Sequence, residues 1–133
     1  MLKEIREEYH NGNITKHEYI ERMHKYHSVL NEYAMFVEKS GVKEISIRNG
    51  EVIFTVEVDG RELKFIHEKR DATDLPMNYL NFHGYEMEEY NMIMRLVQTG
   101  DTVLDIGANQ GWYSINMLKT VKDVTVYSFE PIP

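Results

Sequence analysis

The chain has no cysteine. That excludes disulfides, thiolate nucleophiles and zinc–thiolate sites together. Positive charge is short as well: 15 Lys and Arg stand against 22 Asp and Glu, a formal charge of −7. Such a chain carries no electrostatic footprint for DNA or RNA, so nucleic acid is excluded as a partner. No apolar run approaches the roughly 18 residues of a spanning helix. The N-terminus "MLKEIREEYH" is charged from Lys3 and lacks the apolar stretch of a signal peptide. These absences predict a soluble cytoplasmic protein with no membrane partner. What is present is the composition of a folded protein: 42% apolar and 28% charged residues over 133 positions. That is one domain, or a small domain with an accessory piece.

Three segments separate along the chain, at 1–41, 42–83 and 84–133. The first reads as helical. Thr15 with Glu18 three residues on forms a capping-box pattern. Tyr19, Met23, Tyr26, Leu30, Tyr33 and Val37 then keep to one face of a single helix of about 25 residues. Gly41 is expected as its C′ glycine. A shorter helix, Leu2 to His10, precedes it across the "NGN" turn of Asn11–Asn13. The tyrosines at 19, 26 and 33 recur every heptad. One helix cannot bury that stripe alone, so it must pack on the rest of the chain or on a second copy.

The second segment carries Asn49-Gly50 and Asp59-Gly60, two hairpin turns. They set the register of a three-stranded antiparallel meander. Arg48 pairs with Glu51, Ile47 with Val52 and Ile45 with Phe54; Val58 pairs with Arg61, Val56 with Leu63 and Phe54 with Phe65. All the apolar members share one face. Ser46, Thr55, Glu57, Glu62 and Lys64 take the other, where Ile53 and Ile66 break the alternation. Nothing in the meander suggests chemistry.

After a loop near Lys69–Pro76, "YEMEEYNMIMRLVQTGD" reads as a helix over 86–98 ended by Gly100. "DTVLDIG", "WYSINMLKT" and "DVTVYSFE" then follow as strand, helix and strand, a βαβ unit with a parallel sheet. Gly107 and Gly111 bracket the turn at the carboxyl end of the first strand, where ligands bind in doubly wound sheets. The next helix points its free N–H groups there. Glu130 ends the following strand, placed to accept hydrogen bonds from both hydroxyls of a ribose. The ligand is therefore a nucleoside. Asn109 and Trp112 stand where a dinucleotide fingerprint needs glycines, which disfavours a nicotinamide enzyme, and no Gly-Lys-Ser/Thr follows to make a P-loop.

At these residues the chain resembles the class I S-adenosylmethionine-dependent methyltransferases, and within them the FkbM family. "DIGANQGWYS" is similar to that family's first motif and "SFEPIP" to its ribose-binding F-E-P; Tyr85-Glu86 and "TGDTVLDIGAN" fit the lead-in. The resemblance covers about Gly84 to Pro133. It implies an α/β, Rossmann-like fold, S-adenosylmethionine as cofactor and methyl transfer to a hydroxyl of a sugar or natural product, so the partner is a small-molecule or glycan acceptor. It implies that Gly107, Ala108, Asn109 and Gly111 line the methionine end of the cofactor and that Asp105 orients its ammonium directly or through water. Glu130 would hold the ribose, with Phe129 and Pro131 around it, and Glu86 would join the cofactor-binding residues. A methyltransferase sheet has many more strands than the two here. The expectation is therefore the N-terminal, truncated part of a methyltransferase domain, inactive by itself, with its adenine loop, substrate pocket and catalytic base beyond Pro133.

Plainer roles stand beside these. Asp105 can cap the following helix, Glu130 can be an exposed strand end, and Glu86 can be a first-turn acid favoured by the helix dipole. His17, Glu21 and His24 have the spacing of bundle metal ligands but lie opposite the Tyr/Met/Leu stripe, on a solvated face, so no metal is expected. His27 flanks that stripe. His67 and His83 have no evident partner, and Asp71 with Asp74 reads as turn chemistry. The competing function is a non-catalytic self-association module, its βαβ unit a degenerate scaffold. Either way an open sheet edge or the N-terminal helix predicts a homodimer or higher oligomer.

Overall fold

The structure, a computed structural model, describes residues 1–67 and 74–131. It is mixed α/β and divides into two compact units, Met1–Ser40 and Gly41–Pro133, each described by itself.

The first unit holds α1 (Leu2–His10), α2 (Lys16–His27) and α3 (Val29–Glu38). The capping box forms as the sequence requires: Glu18 N–H donates to Thr15 Oγ1 at 3.2 Å, and Thr15 N–H to the Glu18 carboxylate at 2.7 Å. Stacked Tyr9 and Tyr19 rings, 4.6 Å between centroids, join α1 to α2. The Arg22 guanidinium donates to both oxygens of Glu8 and holds that carboxyl below its ordinary value. The single long helix expected after Thr15 is instead interrupted at Ser28. Its Oγ donates to the Lys25 carbonyl at 3.1 Å, and Asn31 N–H reaches back three residues to the Ser28 carbonyl at 3.0 Å. A hydroxyl bonding to the preceding turn competes with the helical ladder and tightens it locally. The apolar stripe buries little, since no residue of α2 or α3 is buried.

Gly41 is not a helix cap. α3 ends at Glu38 with Lys39 as its right-handed C-cap. A Cβ at Gly41 would stand 2.9 Å from a Tyr79 ring carbon, so the position is small to let that ring approach.

The second unit opens with β1 (Val42–Arg48), β2 (Glu51–Val58) and β3 (Arg61–Ile66), in the order β1-β2-β3. Each cross-strand pair expected from the two turns is present. Asn49 and Gly50 have φ of 53° and 81°, Asp59 and Gly60 of 49° and 74°. Positive φ at both central positions makes the type I′ turn whose twist suits a hairpin. The apolar face carries Phe54, Val56, Val58, Leu63 and Phe65, all buried. The two residues that broke the alternation, Ile53 and Ile66, are opposite one another on the outer face. Thr55, expected on that outer face, is nonetheless only 2% exposed, and its hydroxyl has no partner among the described residues.

The expected loop near Lys69–Pro76 lies largely outside the described residues. From Asp74 onward the chain is helical instead: α4 (Leu75–Phe82) starts there. Asp74 Oδ1 caps it by accepting from Met77 N–H at 3.2 Å. Pro76 sits in the first turn, where a missing N–H leaves no bond unmade. α4 packs against all three strands. α5 (Met87–Leu96) follows, shorter than the expected 86–98, and Gly100 (φ +86°) belongs to the next turn rather than to its end.

β4 (Thr102–Ile106), α6 (Trp112–Thr120) and β5 (Thr125–Phe129) complete the unit, with β4 and β5 parallel from Thr102 opposite Thr125 to Ile106 opposite Phe129. α6 reaches both sheets. Trp112 meets Phe65 of the meander, and Ser114 bonds to Asp105 of β4. The opposite face of the parallel pair, Leu104, Ile106, Tyr127 and Phe129, is more than half exposed at every position.

Leu63 is 3% exposed at the centre of the packed face. Leu63→Ala should cost about 2–5 kcal/mol, whereas Ile47→Ala, at a residue 72% exposed on the same face of the sheet, should cost under about 0.5 kcal/mol. Denaturant unfolding of the two variants reads the difference. Equal losses would mean that the meander does not pack as described.

Candidate functional site

The turn between β4 and α6 is held by the end of β5. Gly107 and Ala108 both donate their N–H to the Phe129 carbonyl, at 2.8 and 3.1 Å. Asn109 N–H donates to Glu130 Oε2 at 2.7 Å, and Gly111 N–H closes the turn on the Ala108 carbonyl at 2.7 Å. Three residues take the left-handed region: Gly107 (φ 82°), Asn109 (φ 46°) and Gly111 (φ 79°). Asn tolerates that region better than other side chains. A Cβ at Gly107 would meet nothing within 4 Å, so conformation rather than space calls for glycine there. Gly111 occupies the N-cap of α6 and has no side chain to cap it, which leaves the first-turn N–H groups of α6 without a side-chain acceptor.

Asp105 bonds to the first turn of α6. Its Oδ2 accepts from Ser114 Oγ at 2.5 Å, and Ser114 Oγ lies 2.6 Å from Ser128 Oγ. The carboxylate therefore joins α6 to both parallel strands. Ser114 is buried, and an acid satisfied by hydroxyls in such a place fixes helix to sheet.

A cleft of about 150 Å³ opens beside the turn. One wall is the backbone from Gly107 to Gln110; the others are Leu75, Tyr85, Glu86, Trp112 and Tyr113. Glu86 is no first-turn acid. It is the N-cap of α5 in left-handed geometry (φ 45°), and its Oε2 accepts from Tyr113 Oη at 2.7 Å. A non-glycine residue held in that region, at a cleft, stores strain that the surroundings must impose. Burial first, and then the bond to Glu86, push the Tyr113 phenol well up from its ordinary value.

Gln110 ties the turn to the meander. Its Nε2 donates to the Ile66 carbonyl at 3.1 Å and its Oε1 accepts from Leu75 N–H at 3.2 Å. The two ends of the segment between β3 and α4 are thus pinned to the glycine turn. Beside them, His67 Nδ1 lies 2.7 Å from Asp74 Oδ2. That is the partner the sequence did not reveal for His67, and it gives Asp74 a role beyond turn chemistry. Asp71 lies outside the described residues. His83 is the left-handed C-cap of α4. His17 and Glu21 are 3.5 Å apart with side chains 83% and 66% exposed, on the solvated face expected of them.

Of the residues singled out in the sequence, Glu86, Gly107, Ala108 and Asn109 share the cleft. Glu130 braces the turn through Asn109, Gly111 starts α6, and Asp105 faces Ser114. Sequence reasoning missed Leu75, Gln110, Trp112 and Tyr113 as lining residues. Three of them lie inside "GANQGWYS", so proximity to the turn could have found them. Leu75 belongs to a helix that was read as loop.

Three tyrosines, Tyr79, Tyr90 and Tyr113, have phenols raised chiefly by burial, Tyr90 to about 12. Tyr90 Oη also donates to Asp59 Oδ2 at 2.6 Å. A phenol raised in the folded state stabilises fully below its ordinary pKa of about 10, and that stability is lost as pH climbs through the folded value. Spectrophotometric titration should show these three ionising above the ordinary phenol value, with thermal stability falling between about pH 10 and 12. Tyr90→Phe should remove its share of that fall. Tyr79, Tyr90 and Tyr113 ionising at the ordinary phenol value while the chain stays folded would contradict this burial.

No protein-family model matches the chain, and neither does any curated protein or solved structure to which it was compared.

Proposed function

We propose that the β4–turn–α6–β5 unit is the cofactor-binding element of an S-adenosylmethionine-dependent methyltransferase of the FkbM type, with a Rossmann-like sheet. The single observation that carries this reading is the Glu130–Asn109 bond of 2.7 Å. It brings an acid at the end of the second parallel strand against the glycine turn at the end of the first, the juxtaposition a ribose and its attached chain would span. The reading is of a cytoplasmic enzyme that methylates a hydroxyl of a sugar or natural product. No helix among the described residues is long and apolar enough to cross a membrane.

The residues suit one end of such a cofactor. Small-molecule sites usually exceed about 300 Å³, and the cleft is half of that. It fits the methionine portion, not the whole nucleoside. Glu86 offers a carboxylate and Tyr85 offers ring surface to a cationic group. Bound there, S-adenosylmethionine would supply an electrophilic methyl on a sulfonium. The chain's own contribution is placement, which governs a substitution of this kind. In this reading Asp105 supports α6 instead of touching the ammonium.

A second reading, self-association without catalysis, is favoured by the open apolar face of Leu104, Ile106, Tyr127 and Phe129. Parallel sheets are covered on both faces, and a second copy would cover this one.

Calorimetric titration of S-adenosylhomocysteine into the chain tests the first reading. Binding is expected, and Glu130→Ala should weaken it by about tenfold or more, the effect of charged hydrogen bonds worth about 1.5–3 kcal/mol. No heat at millimolar ligand, with a dimeric mass by light scattering, would favour the self-association module instead.

A further inference from the structure

Asp74 is the one buried carboxylate among the described residues, 2% exposed. A buried charge persists only when it is paired and hydrogen-bonded. Its two oxygens divide the work: Oδ1 caps α4 through Met77 N–H, and Oδ2 lies 2.7 Å from His67 Nδ1. Capping needs only the first. The second fixes the imidazole, because an acceptor at Nδ1 puts the ring proton there and leaves the Nε2 lone pair as acceptor. The Phe54 ring holds the imidazole from the side in an edge-on contact, 6.0 Å between centroids at 71°. Nε2 has no hydrogen-bond partner among the described residues, and the His67 side chain is 25% exposed, so it is reachable.

The pair also stands next to the cleft. Gln110 bonds to the carbonyl of Ile66 and to the N–H of Leu75, the residues adjoining His67 and Asp74 in the chain. Gln110 and Leu75 both line the cleft. One side chain of the glycine turn therefore ties down the chain neighbours of both members of the pair, although His67 itself is not among the residues that line the cleft.

We propose that His67 and Asp74 form a proton-accepting dyad for the hydroxyl of the methyl acceptor. This rests on the methyltransferase reading above. As the acceptor oxygen bonds to the methyl carbon, the carbon–sulfur bond breaks and its electron pair stays on sulfur as a neutral thioether. The hydroxyl proton passes to His67 Nε2, Asp74 balances the imidazolium, and the proton then leaves to water. An oriented base of this kind contributes typically 10²–10⁴-fold, on the order of magnitudes seen for general base catalysis.

The dyad is tested on the whole chain without knowing the acceptor. Diethyl pyrocarbonate acylates unprotonated imidazole nitrogen, and mass spectrometry resolves the six histidines separately. His67 should react several-fold faster than the exposed His17 and His24, although it is the more buried. Asp74→Asn keeps a capping side chain but can donate to Nδ1, moving the ring proton to Nε2. It should therefore slow acylation at His67 several-fold and leave His17 and His24 unchanged. Long-range nitrogen–proton NMR should find the ring proton on Nδ1 in the parent chain and on Nε2 in the variant. An inert His67, or a rate and tautomer indifferent to Asp74→Asn, overturns the dyad. A calorimetric titration of S-adenosylhomocysteine into His67→Ala should give the parent affinity, since the imidazole serves the acceptor. Failure of the parent chain itself to bind would remove the methyl-transfer role while the acylation rates still report the dyad, so the two failures are distinguishable.

Discussion

The second unit depends on the burial of one side chain, Trp112. Its ring lies within 5.5–6.3 Å, centroid to centroid, of Tyr90, Tyr79, Tyr85 and Phe65, drawing α4, α5, β3 and α6 onto one point. Burying an indole removes roughly 200 Å² of surface, on the order of 5 kcal/mol. Against this stands its Nε1–H, buried with no partner among the described residues, a cost of about 1–3 kcal/mol. The apolar term wins. Because Trp112 is the first residue of α6, directly after Gly111, seating the ring also fixes where the glycine turn must lie.

That turn is consequently not a loose loop between strand and helix. Its amides are spent on the Phe129 carbonyl, on Glu130 and on Ala108, and Gln110 anchors it to the meander and to α4. A backbone held in this way is ordered before any ligand arrives, which lowers the entropic cost of binding one. The meander, which carries no chemistry of its own sequence, is tied to the turn through the Ile66 carbonyl, while Leu75 of α4 lines the cleft. The His67–Asp74 pair adjoins these two anchor points in the chain.

Legibility in the sequence followed the range of the interactions. The meander register was readable to the residue because Asn49-Gly50 and Asp59-Gly60 dictate it within a few positions. The capping box at Thr15 and the βαβ order were readable for the same reason. The break at Ser28 was not, since one hydroxyl bonding to Lys25 outweighed a regular apolar spacing. Nor was α4: eight residues with a proline in the first turn show too little periodicity, and its stability comes from packing on three strands.

The sequence by itself determined the elements whose signals are local: the hairpin turns, the strand alternation, the glycine positions at 107 and 111, and the acid at 130. Only the tertiary structure decided which side chains face one another. It turned Asp105 to Ser114, drew Glu86 to Tyr113 across 27 positions and joined Gln110 to Ile66 across 44. The reason is physical. A turn or a cap is set by backbone conformations of neighbouring residues, whereas a pairing between distant residues exists only after the apolar core has closed around Trp112 and brought their elements together.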